Sequence, residues 1–163
     1  MGGTAIGRAI ENLAILIADN NAYTRRLTRS MLVNLGVKAI YEVADGIAAL
    51  DAIRHVKPDV MMLDWDLPTL SGCEVMQAIR SPGIFPQPNL PVIMMTDIGR
   101  RSRVTEALRF GAHEVLVKPL SPKVIQQRLI GMILKPRPMV QAGRYYIPLP
   151  RRPVDISGLS RAA

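Results

Sequence analysis

The sequence contains few residues of the kinds that form disulfides or structural metal sites. Cys73 is the single cysteine among 163 residues, so no internal disulfide can form and no cysteine pair is available for zinc. His55 and His113 lie far apart without acidic or cysteine partners at ligand spacing, so we interpret both as ordinary side chains. One unpaired cysteine is compatible with a reducing environment, and we expect a cytoplasmic protein.

Long hydrophobic runs are also missing. The longest apolar run, residues 13–18, has six residues, whereas a helix that spans a bilayer needs about 20. The first residues include no apolar stretch of signal-peptide length, so we expect neither an export signal nor membrane association. Apolar residues nevertheless make up 48% of the chain and charged residues 21%, which is typical of a chain with a folded core.

Positive charge is unevenly distributed along the chain. The net charge is +8, and residues 135–163 hold six Lys and Arg against one acidic residue, compared with fifteen against twelve in residues 1–134. A DNA-binding protein would need a recognition element beside this charge. The sequence has no helix-turn-helix pattern and no room for one after residue 134, so we expect no direct DNA binding.

These observations divide the chain into three parts. We expect a flexible leader at residues 1–12, one folded domain at residues 13–134, and a basic, proline-rich tail at residues 135–163. The prolines of the tail argue against a second packed domain and favour a loose or extended segment. The alternative is a tail that docks on a partner, or on its own domain, through Tyr145 and Tyr146.

Short apolar runs alternate with helical patterns along the folded part. Asn21 and Ser121 are good helix N-caps, and Pro122 suits the first turn of a helix. This alternation predicts an α/β fold, with a five-stranded parallel sheet and helices on both of its faces. The apolar runs that we assign to strands are residues 13–18, 60–63, 91–95 and 115–117, and residues 38–44 form a weaker predicted strand.

Polar residues follow four of these runs directly. Because crossover connections are right-handed, the carboxyl ends of parallel strands meet at one rim of the sheet, where ligands and catalytic groups collect. Carboxylates, a hydroxyl and an ammonium together suit phosphoryl transfer, with a carboxylate as nucleophile and Mg²⁺ held by oxygen ligands. The rim residues are Asp19 with Asn20, Asp64, Thr96 and Lys118.

With these motifs in this order, the chain resembles the receiver domains of two-component response regulators. The resemblance spans roughly residues 13–134, and it implies a doubly wound, flavodoxin-like (β/α)5 fold. Each motif alone is weak, and the order and spacing of all of them make the resemblance specific. The matching segments are Ile15–Asp19, Leu63–Pro68 with Ser71–Gly72, Met95–Thr96, Gly111–Ala112 and Lys118–Pro119.

The resemblance also implies a role for each rim residue. Asp64 would accept a phosphoryl group from a histidine kinase or a histidine phosphotransfer protein, and Thr96 and Lys118 would sense it. Mg²⁺ would be held by Asp64, by Asp19 and Asn20, and by the backbone carbonyl of Asp66. The Lys118–Pro119 bond would be cis.

Without a visible output domain, we expect a stand-alone bacterial receiver that acts by contact with a downstream protein. It would not be an enzyme, apart from loss of its own phosphoryl group. Both a monomer and a dimer are compatible with the sequence.

Three positions depart from the family pattern. Asn20 replaces the acidic residue that is commonly the direct metal ligand, and its neutral amide predicts weaker Mg²⁺ binding. Val115 occupies the switch position, where the family normally has a Tyr or Phe. That aromatic side chain swings inward as the residue at the Thr96 position moves. With valine there, the coupling from the phosphate to the protein surface must differ. Asp97 stands where a small residue is common, and its carboxylate would repel phosphate or slow attacking water.

Two other functions remain open at this point. The chain could be a receiver-like binding module that works without phosphate, a pseudo-receiver. A haloacid-dehalogenase-type phosphatase is more remote, although Asp64, Asp66 and Thr69 resemble its nucleophile motif. That motif normally follows the first strand, whereas Asp64 follows the third. Its Thr sits where this chain has Pro68. The chain also lacks the pair of acidic residues that these phosphatases use later in the sequence.

Arginines are concentrated on one predicted helix between residues 100 and 109. The simpler interpretation is a solvated helix face, and the functional one is a basic docking surface for an acidic patch on a kinase or target. The arginines are Arg100, Arg101, Arg103 and Arg109.

Overall fold

Five parallel strands form the centre of the molecule. The computed structural model describes residues 4–81, 83, 85–97, 101–143 and 145–149. The strands are β1 (Ala14–Ala18), β2 (Ala39–Val43), β3 (Val60–Asp64), β4 (Val92–Thr96) and β5 (Glu114–Val117). Their order in the sheet is β2-β1-β3-β4-β5, and every neighbouring pair is parallel. The predicted five-stranded parallel sheet is therefore confirmed.

Helices cover both faces of this sheet, as the sequence predicts. Successive side chains of a strand point to opposite faces, and in β3 Met61 and Leu63 belong to one core while Val60 and Met62 belong to the other. Every residue of β3 and of β4 is buried, which explains their continuous apolar sequences. The helices are α1 (Ala5–Glu11), α2 (Ala22–Asn34), α3 (Gly46–Val56), α4 (Gly72–Ile79), α5 (Arg101–Arg109) and α6 (Pro122–Leu134).

Most of these helices begin at a polar cap that the local sequence provides. The Asn21 side chain accepts hydrogen bonds from the backbone N–H groups of residues 23 and 24, and Ser121 caps α6 just before Pro122, as predicted. Ser71 and Glu74 form a reciprocal capping box at the start of α4. The caps at Asn21, Ser71 and Ser121 fix where α2, α4 and α6 begin after the carboxyl ends of the strands.

The predicted flexible leader is wrong for residues 5–11, which form α1. Thr4 caps this helix by accepting a hydrogen bond from the backbone N–H of Gly7 at 3.0 Å. Ile10 is buried in the core that α2 and α6 share. Helix α1 is ordered because Ile10 is buried and Ile6 packs against the same core, and the segment is too short for the spacing of these two residues to indicate a helix. Residues 1–3 lie outside the described part of the chain.

Part of the proline-rich tail is paired rather than loose. Strands β6 (Met139–Ala142) and β7 (Tyr145–Pro148) form an antiparallel hairpin. The backbone N–H of Tyr146 donates to the carbonyl of Arg80 at 2.9 Å, and Arg137 donates to the carbonyl of His113. The hairpin therefore contacts its own domain through the backbone of Tyr146. The Tyr145 side chain and residues 150–163 lie outside the described part.

Among the residues that the structure describes, no helix combines the length and the hydropathy needed to cross a membrane.

Candidate functional site

The carboxyl ends of β1, β3 and β5 bring three charged side chains together. Nζ of Lys118 lies 3.1 Å from Oδ2 of Asp19 and 3.2 Å from Oδ2 of Asp64. Strand β3 lies next to β1 in the sheet, whereas Lys118 follows the edge strand β5. One ammonium group therefore bridges two buried carboxylates at the predicted rim.

Burial dominates the electrostatics of Asp64, which is 8% exposed. Burial raises the pKa of this carboxyl to about 6, against the lowering effect of Lys118 and with a further contribution from the neighbouring charge of Asp19. At neutral pH Asp64 is therefore mostly ionised, and its carboxylate is poorly solvated. A carboxylate in this state can act as a nucleophile.

Lys118 remains a cation in this setting. Burial alone would lower the pKa of its ammonium group, but the charges of Asp64 and Asp19 raise it above its ordinary value. A fixed positive charge of this kind stabilises negative charge that develops nearby in a reaction. The bond between Lys118 and Pro119 is cis, as the family resemblance implied.

Asp19 is fully buried and is held by the start of α2. Its Oδ1 accepts from the backbone N–H of Asn21 at 2.9 Å, and its Oδ2 accepts from the Thr24 hydroxyl at 2.8 Å. Arg25, which the sequence gave no reason to single out, donates to the backbone carbonyl of Asp19 at 2.7 Å. Asn20 follows directly and is exposed. The first strand thus presents one fixed carboxylate and one solvent-facing amide residue.

Thr96 ends β4 and lies next to β3 and β5. It is 1% exposed, and within the part of the chain that the structure describes its hydroxyl has no hydrogen-bond partner. A buried hydroxyl without a partner is destabilising, and such groups often mark functional sites. The Thr96 hydroxyl is therefore available to donate to a group bound at the rim.

The loop after Asp64 packs tightly against the strand it leaves. The backbone N–H of Gly72 donates to the carbonyl of Trp65 at 2.9 Å. A Cβ on Gly72 would lie 2.5 Å from the Asp64 carbonyl oxygen, so only glycine fits there. The Thr69 hydroxyl accepts from the backbone N–H of Ile47 at 3.1 Å, which ties the loop to the start of α3. These contacts fix the direction of the chain just after Asp64.

The Asp66 carboxylate is bound to an arginine of α5. Arg103 donates two hydrogen bonds to it, at 2.8 and 3.2 Å, and the guanidinium lies 5.1 Å from the centre of the Trp65 ring. From the sequence, Arg103 was only one member of an arginine-rich helix face. The carboxylate of Asp66 is thus occupied by this ion pair, and its backbone carbonyl remains the predicted metal ligand.

The oxygen donors at the rim fit a magnesium ion. Mg²⁺ prefers oxygen ligands and usually keeps several waters. Asp19 and Asp64 supply two carboxylates close enough to share one cation, and the charge of Asp19 adds to the burial that raises the pKa of Asp64. No group of three or more His, Cys, Asp or Glu suited to a metal occurs among the described residues. A metal here would therefore also need neutral oxygens, as Asn20 and the Asp66 carbonyl could provide.

The switch position, Val115, lies in β5, and Asp97 directly follows Thr96 at the end of β4. Val115 is partly buried and packs against the core beneath α3, α4 and α5, next to the exposed strand end at Val117. Asp97 is exposed. The predicted effects of Val115 on coupling and of Asp97 on phosphate stability stay predictions.

Comparison with known proteins matches this chain to one family. Residues 15–130 match the family model described as the response regulator receiver domain. The chain belongs to this family of two-component signalling proteins, in which phosphoryl transfer to an aspartate is the general function. Receiver domains are signalling modules rather than classical enzymes, and the family assignment disfavours the phosphatase alternative.

Individual relatives agree with this assignment. The chain is 31% identical over 120 residues to the chemotaxis protein CheY1 of Helicobacter pylori, covering 72% of this chain and 94% of that protein. It is 29% identical over 119 residues to the chemotaxis protein CheY-3 of Vibrio cholerae, covering 73% and 90%. The receiver domain of the Francisella response regulator 1452 superposes with a TM-score of 0.66 at 25% identity, covering 76% of this chain and all of that one.

Proposed function

We propose that Asp64 accepts a phosphoryl group from a histidine kinase or a histidine phosphotransfer protein. The observation that carries this proposal is the contact of one ammonium, that of Lys118, with both Asp64 and Asp19 at the carboxyl rim. The raised pKa of Asp64, caused mainly by its burial, supports the same role, because a poorly solvated carboxylate is a better nucleophile.

The proposed reaction is an in-line displacement at phosphorus. An oxygen of Asp64 forms a bond to phosphorus, and the bond between phosphorus and the donor's histidine nitrogen breaks. The bonding electron pair stays on the histidine nitrogen. That nitrogen then takes a proton from solvent, which leaves the donor's imidazole neutral. The product on Asp64 is an acyl phosphate.

Three rim groups would stabilise this reaction. Lys118 neutralises negative charge on one phosphoryl oxygen, and the Thr96 hydroxyl donates a hydrogen bond to another. Asp19 orients Lys118 through the 3.1 Å contact. The chemistry that Mg²⁺ supplies at such a site, when held by Asp19, Asn20, Asp64 and the Asp66 carbonyl, is further neutralisation of phosphoryl charge.

Labelling with a small-molecule phosphoryl donor tests the proposal without a known kinase. The full chain is incubated with acetyl phosphate and Mg²⁺, and intact-mass analysis follows addition of one phosphoryl group. Wild-type protein and the control Asp51→Asn, which changes an exposed carboxylate of α3, should be labelled, and Asp64→Ala should not. A folded wild-type protein that gains no phosphoryl group, or a labelled Asp64→Ala variant, would overturn the proposal.

The pseudo-receiver alternative is favoured by Asn20, whose neutral and exposed side chain weakens the expected metal site. Beryllofluoride, which mimics a bound phosphoryl group, separates the two functions. A receiver should respond to Mg²⁺ and then to beryllofluoride with a change in the fluorescence of Trp65, the only tryptophan. A pseudo-receiver should show no response, although it would keep the same fold. In either case we infer that the output is contact with a downstream protein.

A further inference from the structure

One guanidinium holds both residues that follow Asp64. Arg103 donates two hydrogen bonds to the Asp66 carboxylate and lies over the Trp65 ring. Two parallel hydrogen bonds from arginine to a carboxylate form the strongest common ion-pair geometry, and stacking on tryptophan adds a cation–π contact. Arg103 therefore connects the first turn of α5 directly to the segment beside the proposed phosphoacceptor.

This contact differs from an ordinary surface ion pair in its burial. The Arg103 side chain is 17% exposed, whereas the carboxylate that it binds belongs to a side chain that is 59% exposed. The arginine is therefore largely covered, and the Trp65 ring is one of the surfaces it contacts. An arginine held in this way keeps its positive charge at a fixed place next to Asp66.

The position of Arg103 matters because several negative charges lie around Asp64. Asp19, Asp64 and Asp66 carry three negative charges, and Lys118 contacts only the first two. The negative charge of Asp66 acts on Asp64 and contributes to the raised pKa of that carboxyl. Without Arg103, Asp66 would present an uncompensated negative charge beside the acceptor. An incoming phosphoryl donor is itself an anion, and like charges repel at this range.

We propose that Arg103 is a positioning residue for phosphorylation, which neutralises Asp66 and fixes Trp65 so that anionic donors can approach Asp64. The inference rests on the proposed function of Asp64. Arg103 acts through Asp66 and Trp65 and takes no part in bond making. The length of α5 lets the idea be tested on one helix, since Arg109 is an exposed arginine six residues further on.

The experiment measures the initial rate of acetyl phosphate labelling in Arg103→Gln, Arg103→Lys, Asp66→Asn and the double variant. At low ionic strength Arg103→Gln should be labelled about fivefold more slowly than wild type, since one unscreened charge then repels the donor. In roughly 0.5 M salt the deficit should shrink below about twofold, because salt screens such charges. Arg103→Lys, which keeps the charge, should lose no more than about twofold.

Two controls separate charge compensation from simple loss of structure. The double variant should be labelled within about twofold of Asp66→Asn, because the side chain that Arg103 binds is then already neutral. Arg109→Gln, with the same charge change on the same helix, should match wild type. Trp65 emission should change in Arg103→Gln and not in Arg109→Gln, which reports the contact independently of labelling.

The outcomes distinguish this inference from the function on which it rests. If wild type is labelled on Asp64 and Arg103→Gln is labelled equally fast at low salt, the role of Arg103 is refuted and the proposed function stands. The role of Arg103 is also refuted if Arg103→Gln slows labelling in the Asp66→Asn background, or if the slower labelling does not depend on salt concentration. If wild type gains no phosphoryl group, both the proposed function and this inference fail.

Discussion

Nζ of Lys118 lies 3.2 Å from Oδ2 of Asp64, although the two residues are contributed by strands on either side of β4. The contact joins an edge strand to the centre of the sheet across one rim. It also places a cation within hydrogen-bond distance of the proposed nucleophile. Four predictions concern this rim and the loop that leaves it.

Removing the Lys118 charge should slow labelling and shift its pH dependence. Lys118 lowers the pKa of Asp64, so in Lys118→Met that pKa should rise further above its present value of about 6. We expect acetyl phosphate labelling at neutral pH to fall by at least about tenfold, since lost stabilisation of roughly 1.4 kcal/mol gives that factor. Initial rates measured from acidic to alkaline pH would check both effects. Lys123→Met, an exposed lysine of α6, is the matched control, and an unchanged rate in Lys118→Met would contradict the proposed role.

The burial of Asp64 predicts a pH-dependent stability in metal-free protein. Its folded pKa is about 6, and an unfolded aspartate has a pKa of about 3.9. The folded state binds the proton more tightly, so this contribution to stability is complete below about pH 4 and is lost as pH rises through about 6. Asp64→Asn removes the buried charge and should be more stable than wild type at about pH 8 by on the order of 2–3 kcal/mol.

Urea unfolding with a chelator present, at a series of pH values, measures this difference. The stability gain of Asp64→Asn should vanish near pH 4, where the wild-type carboxyl is also neutral. Glu106→Gln, which changes an exposed carboxylate of α5, is the control and should not reproduce the gain at about pH 8. A gain of equal size at every pH would mean that the substitution acts through something other than the buried charge.

Restoring an acidic residue at position 20 should tighten metal binding. Asn20→Asp adds a carboxylate directly after Asp19. Each additional negative oxygen ligand strengthens the binding of Mg²⁺. We expect affinity to rise by about tenfold, which corresponds to roughly 1.4 kcal/mol. Titration of Mg²⁺ against Trp65 fluorescence would measure it. Asn89→Asp adds the same charge in the exposed loop before β4, at the other end of the strands, and should leave the affinity unchanged. Weaker binding in Asn20→Asp would refute our account of this position.

Adding a methyl group at Gly72 should destabilise the loop after Asp64. A Cβ there would lie 2.5 Å from the Asp64 carbonyl oxygen and 2.9 Å from the Met94 methyl, and real Cβ atoms do not approach backbone so closely. We expect Gly72→Ala to lower the free energy of unfolding by about 2–4 kcal/mol, the usual range for overpacking combined with backbone shift.

Chemical denaturation would measure the Gly72→Ala effect. Gly7→Ala is the matched control, since a Cβ at this position of helix α1 would meet only the Thr4 hydroxyl, at 3.3 Å. That control should change stability by no more than about 1 kcal/mol. If Gly72→Ala were as stable as wild type, the close approach between α4 and the end of β3 would have to be looser than described.

Local sequence was sufficient to predict which residues lie at the rim, but not the ion pair between α5 and the loop after Asp64. Asp64, Thr96 and Lys118 could be found because each directly follows a buried apolar run, and parallel topology brings such positions together. The Arg103–Asp66 pair could not be found, since its partners are 37 residues apart and the direction of α5 decides whether they meet. Residue type alone predicted only an arginine-rich helix.

The ends of the chain show the same limit. Helix α1 contains a single buried residue, Ile10, with Ile6 packed against the same core, and two such positions in seven residues are too few to establish a helical period. The hairpin of the tail depends on where Arg80 presents its carbonyl, which is a property of the folded domain. Proline content favoured a loose or extended segment there and gave no indication of pairing.

The hairpin has a practical consequence for choosing fragment boundaries. The family match ends at residue 130, whereas hydrogen-bonded backbone continues to Leu149, whose N–H donates to the Pro138 carbonyl at 2.7 Å. A fragment cut at the family boundary would truncate α6 and remove the donors that bind the carbonyls of Arg80 and His113. Both residues are buried in the intact chain, and the fragment would leave their carbonyls without these donors. Expression and crystallisation trials should therefore retain the chain through residue 149.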